Sequence, residues 1–208
     1  MVDAPCDRTE DVAELIFHHF MTGESISKAA GIPKNDEAIA EYKRLILGLV
    51  QDKDTHIVIC CLDNNNGAVG EIIGAPLMAL ITKDKPEELK FQLKSKELQK
   101  FFEIIIGLAA MYDMMAEQGV DKFYDGRGVV VHSNYRRCSI GRLICQELGV
   151  PLTAALMTAY GTQKAAECDG WEIVSEYNFE EMGKQFNVTF DKKGSSNSKI
   201  DGSKGKTQ

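Results

Sequence analysis

The chain is 208 residues long, 44% hydrophobic and 26% charged, an ordinary globular composition sized for one domain or two. Its 24 basic and 31 acidic residues leave a net charge of −7, which argues against a general nucleic-acid binder and suits a cationic small molecule. The most apolar stretch, 104–112, lies between Glu103 and Asp113 and falls well short of the roughly twenty apolar residues that a transmembrane helix needs.

In chain order, residues 10–21 place Val12, Leu15, Ile16, His19 and Phe20 on one helical face. Residues 22–26 break that helix and open a short one that ends at Gly31, before Pro33. His18 and His19 are adjacent, and helix neighbours point about 100° apart, so they are not read as joint metal ligands. Asn35 or Asp36 caps a helix running to about Val50, with Ile39, Tyr42, Ile46, Leu49 and Val50 on its core face. Residues 55–62 then read as a strand, 63–67 as a turn and 71–81 as the antiparallel partner, in which Pro76 predicts a bulge or an edge position.

Residues 82–94 are polar and form a surface loop bordering a substrate entrance, and 96–118 are the longest helix. Further strands are predicted at 122–132, 152–157 and 172–179, with a helix at 161–168 between the last two. From Asp191 onward, Gly, Ser and Lys with one aliphatic residue predict a flexible tail. The six cysteines (6, 60, 61, 138, 145 and 168) contain no C-x-x-C pair, and the acidic opening segment does not read as a signal or transit peptide. Reduced thiols in a cytoplasmic setting are expected, with Cys60 and Cys61 as core filler.

The stretch 128–149 joins a buried strand (Val129, Val130, Val131), a basic turn and a helix without interruption. A strand, a turn and a helix start present unpaired backbone N–H groups and about half a positive charge to an anion, here reinforced by Arg136, Arg137 and Arg142. No Gly-Lys-Ser/Thr follows, and the Gly-x-Gly-x-x-Gly spacing is missing, so neither a P-loop nor a dinucleotide fingerprint is present. What the run Arg136-Arg137-Cys138-Ser139-Ile140-Gly141 does match is Arg-x-x-Gly-x-Gly, with Ser139 in the first glycine place. It resembles the loop of the GNAT superfamily of acetyl-CoA-dependent N-acyltransferases, specifically the insect arylalkylamine N-acetyltransferases, and the later strand, helix and Gly170-Trp171 pair follow the same order.

That resemblance implies an α/β fold: a mixed, mostly antiparallel sheet with splayed central strands, flanked by helices. It implies a single domain over 1–190, followed by the tail 191–208. It places the pyrophosphate of coenzyme A on the loop formed by Arg136, Arg137, Cys138, Ser139, Ile140, Gly141 and Arg142, and its pantetheine along Val129, Val130 and Val131 as an added strand. Residues 19–26 resemble a Phe-Phe-x-x-Glu-Pro-Leu-type segment, with Ser25 replacing proline and Ile26 replacing leucine, which makes Glu24 the general base. Two family serines fall on Thr158 and Thr162, which would position the amine or pass its proton. The tyrosine acid of vertebrate relatives falls on Ala166, which leaves His132 as a reserve acid or base.

The implied activity is acetyl transfer from acetyl-CoA, a co-substrate, to a small primary amine, first of all an arylalkylamine. The alternatives are a non-catalytic acyl-CoA-binding module, polyamine-like acceptors or longer acyl donors. No metal, nucleic acid or membrane partner is implied, and a monomer or weak dimer is expected.

Overall fold

The computed structural model of the chain describes residues 2–3, 8–52, 55–64, 69–84, 92–136, 152–168, 170–191 and 197–204. Helix α1 (Thr9–Ile16) buries Val12, Leu15 and Ile16, and its first turn carries Glu10 and Asp11, where negative charge complements the helix start. It runs on into a π-helical turn, Phe17–Met21, so the predicted helix is one element with a widened last turn. Glu24 then caps α2 (Ser25–Ala30), which stops at the left-handed Gly31. Asn35 caps α3 (Asp36–Val50) by accepting from Glu37 N and Ala38 N.

Among the described residues, seven strands form one sheet: β1 (Val2–Asp3), β2 (Thr55–Asp63), β3 (Val69–Thr82), β4 (Lys122–Val131), β5 (Leu152–Met157), β6 (Glu172–Asn178) and β7 (Asn197–Lys204). Their order is β1-β2-β3-β4-β5-β7-β6, and every pair is antiparallel except β4 with β5. The β4–β5 ladder holds Tyr124↔Thr153, Asp125↔Ala154 and Gly126↔Ala155, whereas β3 stays paired with β4 as far as Val131. The two central strands therefore part beyond Gly126. Leu77 faces Gly128 while Met78 faces Gly126, so Arg127 is the extra residue of a bulge at the point of parting. One face of β2, β3 and β4 packs on α1 and α3 through Ile59, Ala75, Leu77, Val130, Val12 and Tyr42.

Four expectations are corrected. The helix predicted over 96–118 is two, α4 (Lys96–Ala109) and α5 (Met114–Gln118), because Asp113 leaves helical geometry and its side chain caps the second. Pro76 lies in β3, which is paired on both sides. The β2–β3 ladder steps over it, pairing Leu77 with Ile57 and next Gly74 with Cys60. The strand expected to close the fold at 179 ends at Asn178, which caps an unpredicted helix, α7 (Phe179–Phe186). Finally, residues 197–204 of the expected tail are strand β7, seated between β5 and β6. Backbone pairing on two sides holds it there, and that needs no apolar side-chain pattern.

One buried carboxylate ties the helical layer together: Glu41 of α3 accepts from Lys94 N at 2.6 Å and Ser95 N at 2.8 Å, at the start of α4. Burial alone would raise its pKa, but the bonds from Lys94 and Ser95, with help from Arg44, hold it below the ordinary glutamate value of 4.5. A carboxyl depressed on folding stabilises above its unfolded pKa, and that contribution is lost as pH falls through the folded value. Glu41→Gln is therefore expected to cost about 1–3 kcal/mol in urea unfolding at neutral pH. The gap from wild type should narrow below about pH 4.5; a gap constant across that range would remove the carboxylate's role.

Candidate active site

The open end of the β4–β5 gap is bridged by the segment that follows α1. Phe20, in the π-helical turn, lies against β4: a Cβ on Gly128 would sit 3.5 Å from its ring. Its carbonyl accepts from Gly23 N at 3.0 Å and Glu24 N at 2.9 Å, which folds the chain back sharply. Five residues on, Ser25 Oγ donates to the carbonyl of Thr158 at 3.4 Å, and Thr158 is the first residue beyond β5. The turn therefore touches both splayed strands.

Glu24 sits in that turn, 8% exposed, and its carboxylate is filled in an ordered way. Oε1 accepts from Ile26 N at 2.9 Å and from Thr158 Oγ1 at 2.8 Å, and Oε2 accepts from Ser27 N at 2.6 Å. A carboxylate has about four acceptor positions, so among the described residues one remains, on Oε2. Behind it lies Tyr42, whose hydroxyl is driven well above its ordinary pKa by burial and then by the Glu24 charge, with the neighbouring Ser27 hydroxyl acting the other way. A neutral phenol thus backs the carboxylate.

The donor strand is more selective than the sequence implied. His132 N donates to Ile73 O on the β3 side, and backbone direction alternates along a strand. Val129 and Val131 therefore turn their peptide groups toward the gap, whereas Val130 turns its own toward β3 and buries its side chain in the core. Val131 O already accepts from Arg136 Nε at 3.1 Å. Arg137, Cys138, Ser139, Ile140, Gly141 and Arg142 lie outside the described residues.

Glu24 and Thr158, 134 residues apart, are brought together; Thr162 is not brought to them. It is half-buried on α6 (Tyr160–Cys168) and donates to Ala159 O at 2.8 Å, within its own turn. Thr162→Val should leave kcat/KM within about twofold of wild type, and a larger loss would return the hydroxyl to the reaction. Ala166 is fully buried, and Tyr160, six residues before it, is 56% exposed. The His132 ring is tilted against that of His19, centres 4.1 Å apart, and is not among the partners that bond Glu24. His19 is held below its ordinary pKa by burial, then by His132, Arg136 and His18. Ser25 stands in the proline place of the Glu24 segment, whereas Ser27 and Tyr42, which also belong to this site, read in the sequence only as helix residues. Among the described residues no group of three or more His, Cys, Asp or Glu side chains could hold a metal.

The mostly antiparallel sheet flanked by helices, with one parallel pair that splays beside a bulge, has the fold of solved GNAT acetyltransferases. Solved structures share it over almost the whole chain. A yellow fever mosquito protein assigned as arylalkylamine N-acetyltransferase 7 superposes with a TM-score of 0.82 at 19% identity, covering 97% of this chain and 85% of that one. Arylalkylamine N-acetyltransferase 2 from Aedes aegypti gives 0.77 at 17%, covering 97% and 96%. A Drosophila melanogaster polyamine N-acetyltransferase that forms N-acetylagmatine gives 0.74 at 12%, covering 98% of each chain. No family model and no curated sequence matches the chain.

Proposed function

We propose that the protein transfers an acetyl group from acetyl-CoA to a small primary amine, with arylalkylamines the first class of acceptor. The observation that carries this reading is the Glu24–Thr158 bond at the open end of the β4–β5 gap, where a donor laid along β4 would end. Amines of this class are protonated at neutral pH, so a base must act before attack. Glu24 can take that proton through its remaining Oε2 position, directly or through one water, while Thr158 holds the other oxygen in place. The amine nitrogen then attacks the thioester carbonyl, the C–S bond breaks, and the second proton on nitrogen passes through water to the departing thiolate, leaving the amide and the free thiol. Backbone N–H groups of Val129 and Val131 are oriented to steady the pantetheine amides and the transient oxyanion.

A second reading has its own support. Three of Glu24's acceptor positions serve a helix cap and a buried threonine, an arrangement that would persist in a non-catalytic acyl-CoA-binding module. Thiol release separates the two. The protein is mixed with acetyl-CoA and a panel of arylalkylamines and agmatine-like amines, and coenzyme A binding is measured in parallel by calorimetry. Turnover ranked by acceptor supports the transferase and names its class, and tight binding with no thiol above background favours the module.

A further inference from the structure

The end of β4 and the turn that carries Glu24 are fastened to each other by one side chain. Arg136 Nη2 donates to the carbonyl of His19 at 2.6 Å, and Nε of the same guanidinium donates to Val131 O at 3.1 Å. Val131 is the last residue of the strand proposed to carry the donor. His19 is one residue before Phe20, whose carbonyl holds the amide of Glu24. The junction has further ties. Ser133 N donates to His19 Nδ1 at 3.4 Å, and Asn134 N donates to His132 Nδ1 at 3.2 Å. The His132 ring also lies between His19 and Tyr135, with centres 4.1 and 5.5 Å away. A planar guanidinium with its donors in a fixed fork can bridge two carbonyls on different segments, whereas an ammonium offers a compact point charge.

We propose that Arg136 is a positioning residue that clamps the Glu24 turn to the end of β4, so that a donor seated on β4 orders the acceptor side of the site. The proposal rests on the acetyltransferase reading, and it separates Arg136 from the phosphate-binding role that its place in the loop motif implies. Coupling of this kind is a shared free energy: what binds on β4 changes the turn, and the turn changes what binds on β4.

The test uses the full chain, wild type beside Arg136→Met and Arg136→Lys, with coenzyme A as the probe. In wild type, saturating coenzyme A should slow amide hydrogen exchange across 17–24 by about fivefold, at the low end of coupling factors between sites. In Arg136→Met coenzyme A should still bind while that slowing disappears, and Arg136→Lys should recover part of it. S-acetylpantetheine, which lacks the diphosphate, supplies the second readout: Arg136→Met should lower kcat/KM for the amine with this donor as well. Three results would overturn the proposal: no slowing at 17–24 in wild type, equal slowing in Arg136→Met, or a kinetic defect seen with acetyl-CoA and absent with the truncated donor, which would make Arg136 a phosphate ligand. If wild type turns over neither donor, the acetyltransferase reading fails, and the exchange measurement still decides the clamp.

Discussion

Glu24→Gln is expected to lower kcat/KM for the amine by about 10²-fold or more, the scale of losing a positioned general base. The substitution keeps the shape of the side chain and one carbonyl oxygen, so the cap on α2 is weakened rather than erased, at about 0.5–2 kcal/mol of stability. The pH profile is the sharper readout. With Glu24 as the base, the pH profile of kcat/KM should differ between the variant and wild type, because a side chain that accepts the amine's proton has been replaced by one that cannot. A variant that melts earlier but keeps wild-type kcat and pH profile would leave Glu24 as a helix cap alone. Thr158 supplies an internal check, since its hydroxyl bonds the same oxygen as Ile26 N. Effects of Thr158→Val and Glu24→Gln should then be non-additive, as expected for neighbours in one hydrogen-bonded unit.

The second large effect is expected at Gly126, the last β4 residue paired with β5 before the strands part. A Cβ there would lie 2.8 Å from Ala155 Cβ and 3.4 Å from Ala154 O, so the strands must shift to admit it. Gly126→Ala should cost about 1–3 kcal/mol, as overpacking does. In a domain of this size, that corresponds to roughly 2–4 °C of Tm for each kcal/mol. Turnover should fall too, because the displacement occurs at the hinge of the gap. Adding Ala155→Gly should restore both, since it removes the atom in the way. An unchanged melting curve for Gly126→Ala, or a double variant no better than the single, would sink this account of how the gap is set. Two residues on, Gly128 has φ +150, a conformation open to glycine and strained for other residues, so the bulge is secured by glycine on both sides of Arg127.

How far the fold was legible depended on the kind of signal. Helices with an apolar stripe and a cap residue, such as α1 and α3, could be read directly, as could the β2–β3 hairpin. Helix α7 has such a signal, with Asn178 before Phe179, Met182 and Phe186 at helical spacing, but the strand-like run that leads into it masks where it starts. Strand β7 had none. Its glycines, serines and lysines look like a solvated tail, and only the backbone groups of β5 and β6, brought near by the rest of the sheet, make it a strand.

For the site, sequence alone determined a set of candidates: a glutamate after the first helix, hydroxyl residues after the fifth strand, and a strand followed by a basic turn. It could do so because caps and periodicity are local properties of the chain, and because the resemblance that gives the glutamate and the hydroxyl residues their roles rests on short local motifs. Only the tertiary structure decided which candidates meet. It placed the Thr158 hydroxyl on Glu24 and left Thr162 in its own turn, directed Val129 and Val131 but not Val130 toward the gap, and committed the Arg136 guanidinium to two backbone carbonyls. Contacts across more than a hundred residues depend on sheet order, strand register and the placing of one bulge, and these are set by packing of the whole chain rather than by any short stretch of it.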